Sequence, residues 1–324
     1  MASPNTAWTD ITTTTLQLRT RELADNLLNN TALLQRLNER GNVKPAPGGN
    51  VIEQELVYQG PGNFQWYSGY ETLNISQQQM FTSAEFEWKQ ASVAVTISGL
   101  EMMQNRGRER MINLLEARIS AAEKEMTNNI SDGLYSNGTG SGGKQIGGLQ
   151  LLVSDAGTGV VGGIDSSTWA FWQNYVYDFS AQGVAAGPAT ITSAMNDVWL
   201  NTKRNRDVVD LIVADNEYYD YYWQSLQAIQ RIGDENKTTG AFSGSLKFKN
   251  ADVVADGGLD GYAPAAHMYF LNTDYLFFRP HPERNMVPLN PERFATNQDA
   301  MVRLLGFMGN MTVSARRQQG VIVS

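Results

Sequence analysis

The chain has no cysteine and only two histidines among its 324 residues. The absence of cysteine excludes disulfides, thiolate catalysis and cysteine-based metal sites. His267 and His281 have neither the spacing of metal ligands nor a nearby serine in a nucleophile elbow. We therefore expect no catalytic residues, no metal site and no cofactor, and the chain is not predicted to be an enzyme.

Charged residues are scarce as well. Asp, Glu, Lys and Arg make up 18% of the chain, against roughly 25% in typical soluble domains. Such a chain has less polar cover for its surface, and large contacts with other proteins are one way to resolve that shortage. The net charge of −8 argues against high-affinity binding of nucleic acid by the chain as a whole. A container whose inner wall faces DNA is not excluded by it.

Long apolar runs are also missing. No stretch approaches the roughly 18 uninterrupted apolar residues that a membrane helix needs. The N-terminus lacks the basic start and the apolar run of a signal peptide. Hydrophobic residues nevertheless make up 42% of the chain, enough for a globular protein with a sizeable core. We expect no membrane partner, and the lack of cysteine fits assembly in a bacterial cytoplasm.

Residues 15–40 show an amphipathic pattern. Apolar residues at spacings of seven, four, seven and three predict one helix with a single apolar stripe: Leu16, Leu23, Leu27, Leu34 and Leu37. Gly41 ends the pattern, and Pro45 and Pro47 support the break. Such a stripe must lie on something. The pattern leaves open whether it packs on its own domain or on a neighbouring molecule.

Residues 50–97 predict a long two-stranded excursion that then enters a sheet. Residues 50–58 alternate like a strand before a Gly-Pro-Gly turn signal. Clean alternation returns at residues 85–89 and again at 93–97. Between these two segments the apolar positions change from even to odd residue numbers. A slip of one residue predicts a β-bulge or bend near residues 90–92.

An aromatic cluster follows the turn: Phe64, Trp66, Tyr67 and Tyr70. An isolated hairpin is only marginally stable in water, and these side chains would expose an unfavourable apolar patch on it. The cluster therefore either folds back on the core of its own chain or lies on a neighbouring molecule. The sequence slightly favours the neighbour.

The longest helical pattern covers residues 106–136. Its apolar positions follow a near-heptad run, and about thirty residues at 1.5 Å each would span roughly 45 Å. One narrow stripe on so long a helix suits a strut that lies across a sheet. The remaining predicted elements are helices over 190–203 and 217–231, and strands over 210–214, 246–254, 267–278 and 300–323.

A glycine-rich segment after this helix, residues 138–148, comes close to a phosphate-binding loop in sequence. Such loops bind phosphate through backbone N–H groups at the start of a helix that follows a strand. Here the glycines follow a helix, and Gln145 replaces the hydroxyl that would hold magnesium. We favour a flexible loop.

Two acidic groups have more than one interpretation. Asp252, Asp256 and Asp260 fall four residues apart around two glycines, which suits a calcium loop but misses the EF-hand pattern. We favour a solvated turn. The tyrosine-rich acidic stretch over 215–222 suits a carboxylate pair or a sugar-binding platform. Aromatic residues at helical spacing more often pack in a core, and we favour packing.

Several segments carry a resemblance to a known family: GGL at 147–149, GGID at 162–165, WAFWQN at 169–174, AFSGSLKFKNADVV at 241–254, MYFLNTDYL at 268–276 and NMVP at 285–288. Together they resemble the major capsid proteins of tailed bacteriophages with the Hong Kong 97-type fold. The resemblance covers nearly the whole chain, and the order of the predicted elements agrees. The combination is specific, although no single motif is diagnostic.

The resemblance implies an α+β fold with a fixed division of the chain. Residues 1–46 would form an N-terminal arm, 47–88 an extended E-loop that overlaps an adjacent subunit, 89–149 a peripheral domain with a spine helix over 106–136, 150–279 an axial domain, and 280–324 a return to the peripheral domain. The residues implied to contact neighbouring subunits are Leu16, Leu23, Leu27 and Leu34 of the arm, and Phe64, Trp66, Tyr67 and Tyr70 of the E-loop.

The implied function is self-assembly into hexamers and pentamers of an icosahedral shell that encloses phage double-stranded DNA. The implied partners are copies of the chain itself, a scaffolding protein and a portal, with room for a decoration protein. Packaged DNA would be contacted non-specifically. A separate scaffolding protein is expected because the arm helix begins near residue 15. The location would be the virion capsid, after assembly in the cytoplasm of a bacterial host.

Two features of the sequence refine this picture. The type member of the family crosslinks itself through an E-loop lysine, but no lysine occurs between Lys44 and Lys89, so no covalent crosslinking is expected. The arm also has a basic bias. We expect its cations to pair with acidic residues of neighbouring subunits and not with DNA: Arg19, Arg21, Arg36, Arg40 and Lys44.

Two other functions remain open. A cellular compartment shell of the encapsulin type shares the fold, and it would need a groove in which cargo docks. A carbohydrate-binding or hydrolytic enzyme that uses the tyrosine-rich acidic stretch belongs to a different class. An enzyme of that kind would not form megadalton shells.

Overall fold

The computed structural model describes residues 31–46, 48–60, 62–76, 79–98, 100, 108–227, 246–256, 262–294 and 300–324. The predicted contact residues Leu16, Leu23 and Leu27 lie outside these ranges. Within them, no helix combines the length and the apolar character needed to cross a membrane.

The described part of the chain contains four helices longer than one turn: α1 (Ala32–Glu39), α2 (Arg108–Tyr135), α3 (Ile191–Thr202) and α4 (Asn216–Gln227). Single helical turns are Gly140–Gly143, Leu149–Leu152, Ala170–Trp172, Thr273–Tyr275 and Arg316–Gln318. Helix α2 confirms the longest predicted helix. Its 28 residues extend roughly 42 Å, and the predicted stripe is buried at Ile119, Ala122, Met126 and Ile130.

The strands are β1 (Val51–Val57), β2 (Phe81–Glu87), β3 (Lys89–Ser98), β4 (Val160–Val161), β5 (Ile164–Asp165), β6 (Tyr175–Asp178), β7 (Leu211–Ala214), β8 (Leu246–Phe248), β9 (Ala251–Ala255), β10 (His267–Leu271), β11 (Leu276–Pro280), β12 (Val287–Phe294), β13 (Ala300–Val313) and β14 (Gly320–Val323). Strands β1 and β2 pair antiparallel as one hairpin, and β4 and β5 pair as another. The other strands form two larger sheets.

One sheet has six strands in the order β6-β14-β10-β7-β9-β8. Strand β7 is buried along its whole length, because both of its faces are covered. Leu211 and Val213 lie in a core with α1, α2 and the β1–β2 hairpin. Ile212 and Ala214 lie in a second core with α3 and α4. Coverage on both sides explains why this strand is a continuous apolar run in the sequence.

The other sheet is built around β13, which pairs antiparallel with β3, β11 and β12. Helix α2 lies across this sheet, as the single narrow stripe predicted. Ile119 and Ala122 of the helix form a small core with Val95 and Ile97 of β3. The two sheets and their helices give the mixed α+β architecture expected from the sequence.

The β-bulge predicted near residues 90–92 is wrong. Strand β3 pairs with β13 in one unbroken register from Lys89 to Ser98. The change of apolar phase arises earlier, at Trp88, which separates β2 from β3. Because β2 belongs to the hairpin and β3 to the four-stranded sheet, their apolar faces need not share a phase.

The end of the chain also differs from the expected return of residues 280–324 to a single sheet. Strand β13 does lie in the four-stranded sheet, but β14 lies in the six-stranded one, between β6 and β10. Gly320 permits this placement. A Cβ there would sit 2.5 Å from Cγ1 of Val198 on α3, so any larger residue would push α3 away from the sheet.

Candidate functional site

The β1–β2 hairpin divides into two parts with opposite burial. Its strands, the stalk, turn one face to the protein core, where Ile52, Leu56, Ala84 and Phe86 are buried. Gly162 contacts the stalk, and its carbonyl accepts a hydrogen bond from the Glu85 N–H at 3.0 Å. A Cβ at Gly162 would lie 2.8 Å from Cβ of Ala84. The stalk is therefore fixed tightly to the body of the same chain.

Residues 62–76, the tip of the hairpin, are uncovered. The exposed fractions are 78% at Phe64, 88% at Trp66, 65% at Tyr67 and 108% at Tyr70. The sequence predicted that the cluster would either fold back on its own core or remain free for a neighbour. The structure leaves all four side chains free of their own core.

The tip nevertheless has a defined shape. The rings of Phe64 and Trp66 meet edge to face, with centroids 5.3 Å apart. Asn63 Nδ2 donates to the Ser76 carbonyl at 3.1 Å, and Gln65 Nε2 donates to the Thr72 carbonyl at 3.2 Å. These bonds tie the two sides of the tip together, so an apolar surface is held ready without being covered.

Four more exposed apolar side chains on the hairpin were not singled out from the sequence: Val57, Leu73, Ile75 and Phe81, with exposed fractions of 70%, 48%, 90% and 63%. Val57 and Phe81 are direct cross-strand partners on the outward face of the stalk. The alternation of β1 and β2 contained this signal, since both residues are out of phase with the buried positions.

An aromatic groove lies at the root of the hairpin. Tyr58, directly after β1, packs against Phe171 and Trp169, with ring centroids 5.7 and 5.9 Å away. The groove has a volume of about 410 Å³ and includes Asp165 in its lining. Hydrogen bonds from the hydroxyl and N–H of Ser167 hold the pKa of Asp165 below its ordinary value. The root therefore offers an apolar surface with one ionised carboxylate.

Leu34 corrects one expectation. It was expected to contact a neighbouring subunit, but its side chain is 0% exposed within its own chain, as are those of Leu33 and Leu37. Helix α1 lies against β7 and β11 and joins the main core of the chain. Leu34 is therefore unavailable to a neighbour.

Two of the three arm cations that the structure describes pair with acidic residues of the same chain. Arg36 pairs with Asp252, and Arg40 Nη2 lies 3.3 Å from Oδ2 of Asp210. The expectation that neighbouring subunits supply the acids is wrong for these two arginines, because the six-stranded sheet places its own aspartates beneath α1. Arg19 and Arg21 lie outside the described residues.

The sequence motifs that suggested chemistry have structural roles. The glycine-rich segment forms a single helical turn, Gly140–Gly143, a few residues after α2, with a positive φ of 54° at Ser141. It follows a helix and therefore lacks the strand-loop-helix order of a phosphate site, although it is a short turn where we favoured a flexible loop. Asp252 is engaged by Arg36, and Asp256 accepts a hydrogen bond from the Tyr135 hydroxyl. Across the described ranges, no three His, Asp or Glu side chains are grouped to hold a metal ion.

The tyrosine-rich stretch is part of a core. Tyr218 and Tyr222 on α4 are buried among α3, α4 and the six-stranded sheet. The Tyr222 hydroxyl donates to the Lys247 carbonyl at 2.9 Å. Packing, the interpretation that we favoured, is confirmed for both residues, while Tyr219 and Tyr221 of the same stretch are half-buried.

No protein-family model matches the chain, and no curated protein matches it. Solved structures do. The capsid asymmetric unit of cyanophage A-1(L) is 15% identical, with 87% of this chain and 90% of that chain covered and a TM-score of 0.59. The capsid of a native GTA particle is 10% identical, covers 89% of each chain and has a TM-score of 0.55.

A third structure is the procapsid of satellite phage P4 with its size determination protein Sid, at 11% identity, 94% and 90% coverage and a TM-score of 0.54. At these identities the likeness establishes the fold alone. The chain has the α+β, Hong Kong 97-type fold of phage capsid proteins, as the resemblance of its segments predicted.

Proposed function

We propose that this chain is the major capsid protein of a tailed bacteriophage. Its copies would assemble into hexamers and pentamers, and these would close into an icosahedral shell around double-stranded DNA. The observation that carries the proposal is the uncovered tip of the hairpin, on a chain with the fold of capsid proteins. A shell subunit has a use for a shaped apolar surface that its own body does not cover.

The energetics favour coverage of the tip by another copy. Contiguous exposed apolar patches mark interaction surfaces in soluble proteins, and each large aromatic side chain buries on the order of 150–250 Å² when covered. After the unfavourable entropy of association, a single contact would retain on the order of several kcal/mol. A subunit that engages several neighbours gains by multivalency, and closed symmetry makes the assembly finite.

The division of the chain belongs to the proposal. Residues 1–46 would be the arm, 47–88 the E-loop, 89–149 the peripheral domain with α2 as spine helix, and 150–279 the axial domain. Residues 280–313 would return to the peripheral sheet, while β14 would belong to the axial domain because it pairs with β6 and β10. Phe64, Trp66, Tyr67 and Tyr70 would contact an adjacent subunit.

The partners are proposed as well: a separate scaffolding protein, a portal, a decoration protein on the outer surface, and packaged DNA contacted without sequence preference. Assembly would take place in the cytoplasm of the bacterial host. The absence of lysine between Lys44 and Lys89 argues for a shell held by non-covalent contacts. A denaturing gel of mature particles should therefore contain the monomer and no covalent ladder.

The test is the state of the purified full-length chain, by size-exclusion chromatography and negative-stain electron microscopy. Hexamers, pentamers or closed shells of megadalton mass are expected. A chain that stays monomeric at every concentration, with its tip intact, would refute the proposal. Particles isolated from the source cells should contain nuclease-protected DNA. Particles that hold a protein cargo and no DNA would favour a cellular compartment instead.

A further inference from the structure

The outward face of the stalk is acidic. It carries Glu53, Glu55, Glu85 and Glu87, which alternate with the buried positions of β1 and β2. Glu53 and Glu85 are direct cross-strand partners, an arrangement in which like charges destabilise a strand pair. Glu87 binds Lys89 at 2.8 Å. We call the other three glutamates, Glu53, Glu55 and Glu85, the acidic face. None of the cationic side chains that the structure describes lies within 4.0 Å of their carboxylates.

Two lysine side chains lie close together without a described carboxylate beside them. Lys203 Nζ and Lys249 Nζ lie 5.0 and 3.7 Å from the centre of the Trp199 ring. We call Lys203 and Lys249 the lysine pair. Partial burial lowers the pKa of Lys249, and the charge of Lys203 lowers it further. Lys249 Nζ donates to Asn196 Oδ1 at 2.5 Å, but no described carboxylate lies within 4.0 Å of either ammonium.

The backbone supports the idea that the lysine pair is a built feature. Lys249 occupies the turn between β8 and β9 with φ of 54°, a conformation that residues other than glycine seldom adopt. That conformation places its side chain over the same indole ring that Lys203 reaches from the end of α3. Two cations are thus held on one ring although they repel each other.

The acidic face and the lysine pair lie on different sides of the six-stranded sheet. The stalk belongs to the core that contains Leu211 and Val213. Helix α3, which carries Trp199, belongs to the core that contains Ile212 and Ala214. Because alternate residues of β7 face opposite sides, the chain's own stalk and its own lysine pair are separated by the sheet. Complementary surfaces at two different places on one chain produce head-to-tail contacts, which form a ring where the rotation between successive copies closes.

We propose that the lysine pair of one copy receives the acidic face of a second copy, with Glu53 and Glu85 as the central carboxylates. This inference rests on the proposed function and names one contact surface within it. Within the described part of one chain, neither charge cluster is compensated by opposite charge. In the proposed ring, each cluster meets a cluster of opposite sign on the neighbouring copy. Every copy carries both clusters, so the stoichiometry of a ring is satisfied without any further component.

Apolar side chains beside the two clusters fit the same contact. Leu200, adjacent to Trp199 on α3, is 57% exposed. On the stalk, the exposed cross-strand pair Val57 and Phe81 borders the acidic face at the end nearest the tip. The contact therefore has an apolar part and a charged part on both sides, as specific protein interfaces do.

Charge reversal with rescue tests the contact. The variants are Lys203→Glu/Lys249→Glu, Glu53→Lys/Glu85→Lys, and a chain with all four substitutions. Each double reversal should lower the assembled fraction on a density gradient by about tenfold or more, because like charges would face each other. The fourfold variant should recover most of that loss, since the charges attract again with their positions exchanged.

The controls separate this inference from the proposed function. Thermal unfolding of the unassembled subunit shows whether a variant folds, and Lys203→Gln/Lys249→Gln provides a milder change that should lower assembly less than reversal. If each double-reversal variant assembles as well as the wild type, or if the fourfold variant shows no rescue, the inference is overturned and the shell function still stands. Failure of the wild-type chain itself to assemble overturns the function. Normal shells that only retain less DNA would assign the lysine pair to phosphate, which also overturns the inference.

A zero-length carbodiimide crosslink gives a direct readout. In assembled wild-type particles, mass spectrometry should find a peptide with Glu53 or Glu85 joined to a peptide with Lys203 or Lys249. Particles assembled from isotope-labelled and unlabelled copies should contain mixed pairs, which proves that the link is between chains. Links from the same glutamates to Lys124 on α2 instead would place the stalk on a neighbour's spine helix and contradict the proposal.

Discussion

Helix α1 and the hairpin tip both carry large apolar side chains, but those of α1 are buried and those of the tip are exposed. Leu34 on α1 is 0% exposed, whereas Trp66 on the tip is 88% exposed. Both were expected to lie on a neighbouring subunit, because the resemblance to phage capsid proteins implied it, although the leucine pattern of the helix alone had left the question open. The helix instead finds β7 and β11 of its own chain beneath it, while the tip extends beyond the reach of its own core.

The difference shows what an apolar pattern specifies. The leucine spacing of α1 requires that one face be covered, but it does not say which molecule covers it. That depends on residues far away in the chain: Arg36 finds its partner Asp252 216 positions later. Among the described residues, the tip has no comparable long-range partner, and its side-chain hydrogen bonds in that part of the chain join residues of the tip to one another.

Removal of α1 should have the largest effect. Deletion of residues 1–40 eliminates Leu33, Leu34 and Leu37 and uncovers the core beneath them. The fragment should lose more than about 5 kcal/mol of folding free energy and fail to accumulate as a folded protein. Small soluble oligomers of a folded fragment would instead show that α1 is dispensable for folding. Deletion of residues 1–30 is the matched control, and chemical denaturation of both fragments is the measurement.

A single substitution in α1 should show the same effect in smaller measure. Leu34→Ala removes a fully buried side chain and leaves a cavity, so the free energy of unfolding should fall by about 2–5 kcal/mol. Leu73→Ala in the tip is the control and should change it by less than about 0.5 kcal/mol. Urea denaturation of the unassembled subunit measures both. Equal effects of the two substitutions would abolish the distinction between a chain-internal helix and an uncovered tip.

The tip should respond in the opposite way. Trp66→Ala/Tyr70→Ala should leave the unfolding of the unassembled subunit unchanged within about 0.5 kcal/mol. The assembled fraction should fall about tenfold or more, since buried aromatic residues dominate contact energies. Ser68→Ala, a polar change on the same tip, should assemble normally. If the aromatic variant unfolds more easily and assembles like the wild type, the tip belongs to its own chain after all.

The parts of the fold that follow local rules were predictable. The stripe of α2 required a long helix on a sheet, and the apolar run at β7 required a strand covered on both faces. The aromatic cluster of the tip was also recognisable, because four aromatic side chains beside a turn exceed what a two-stranded hairpin can bury, and the sequence slightly favoured a tip that is not covered by its own core. In each case the relevant interactions lie within a few turns or strands of the residues that signal them.

The parts that depend on distant residues were not predictable. The move of β14 into the six-stranded sheet depends on the space that Gly320 leaves beneath α3. Arg316 is another case: it is fully buried and donates to the Leu152 and Trp172 carbonyls at 2.7 and 2.9 Å. Burial lowers its pKa to about 10. An arginine near the end of the chain gives no local sign that carbonyls more than 140 positions earlier will enclose it.

The smallest expected effect concerns pH and the body of the subunit. His267, the first residue of β10, has Nε2 3.2 Å from Oδ2 of Asp155 and Nδ1 2.7 Å from the Ala265 carbonyl oxygen. Burial lowers the pKa of His267, but the contacts with Asp155 and Ala265 and the charge of Asp215 outweigh it, so the pKa is raised. The protonated ring therefore stabilises the folded state.

The sign of the pH dependence follows from that shift. The stabilisation is complete below the ordinary histidine pKa of about 6.5 and is lost as the pH rises through the higher folded value. Since Asp155 is partly exposed, the loss should stay below about 1 kcal/mol. It should appear in the unassembled subunit and disappear in His267→Gln. Because no histidine lies in the tip, Trp66→Ala/Tyr70→Ala should keep the wild-type pH profile of unfolding. A profile that changes with the tip variant and not with His267→Gln would mean that the body and the tip are coupled within one chain, against the separation on which the comparison rests.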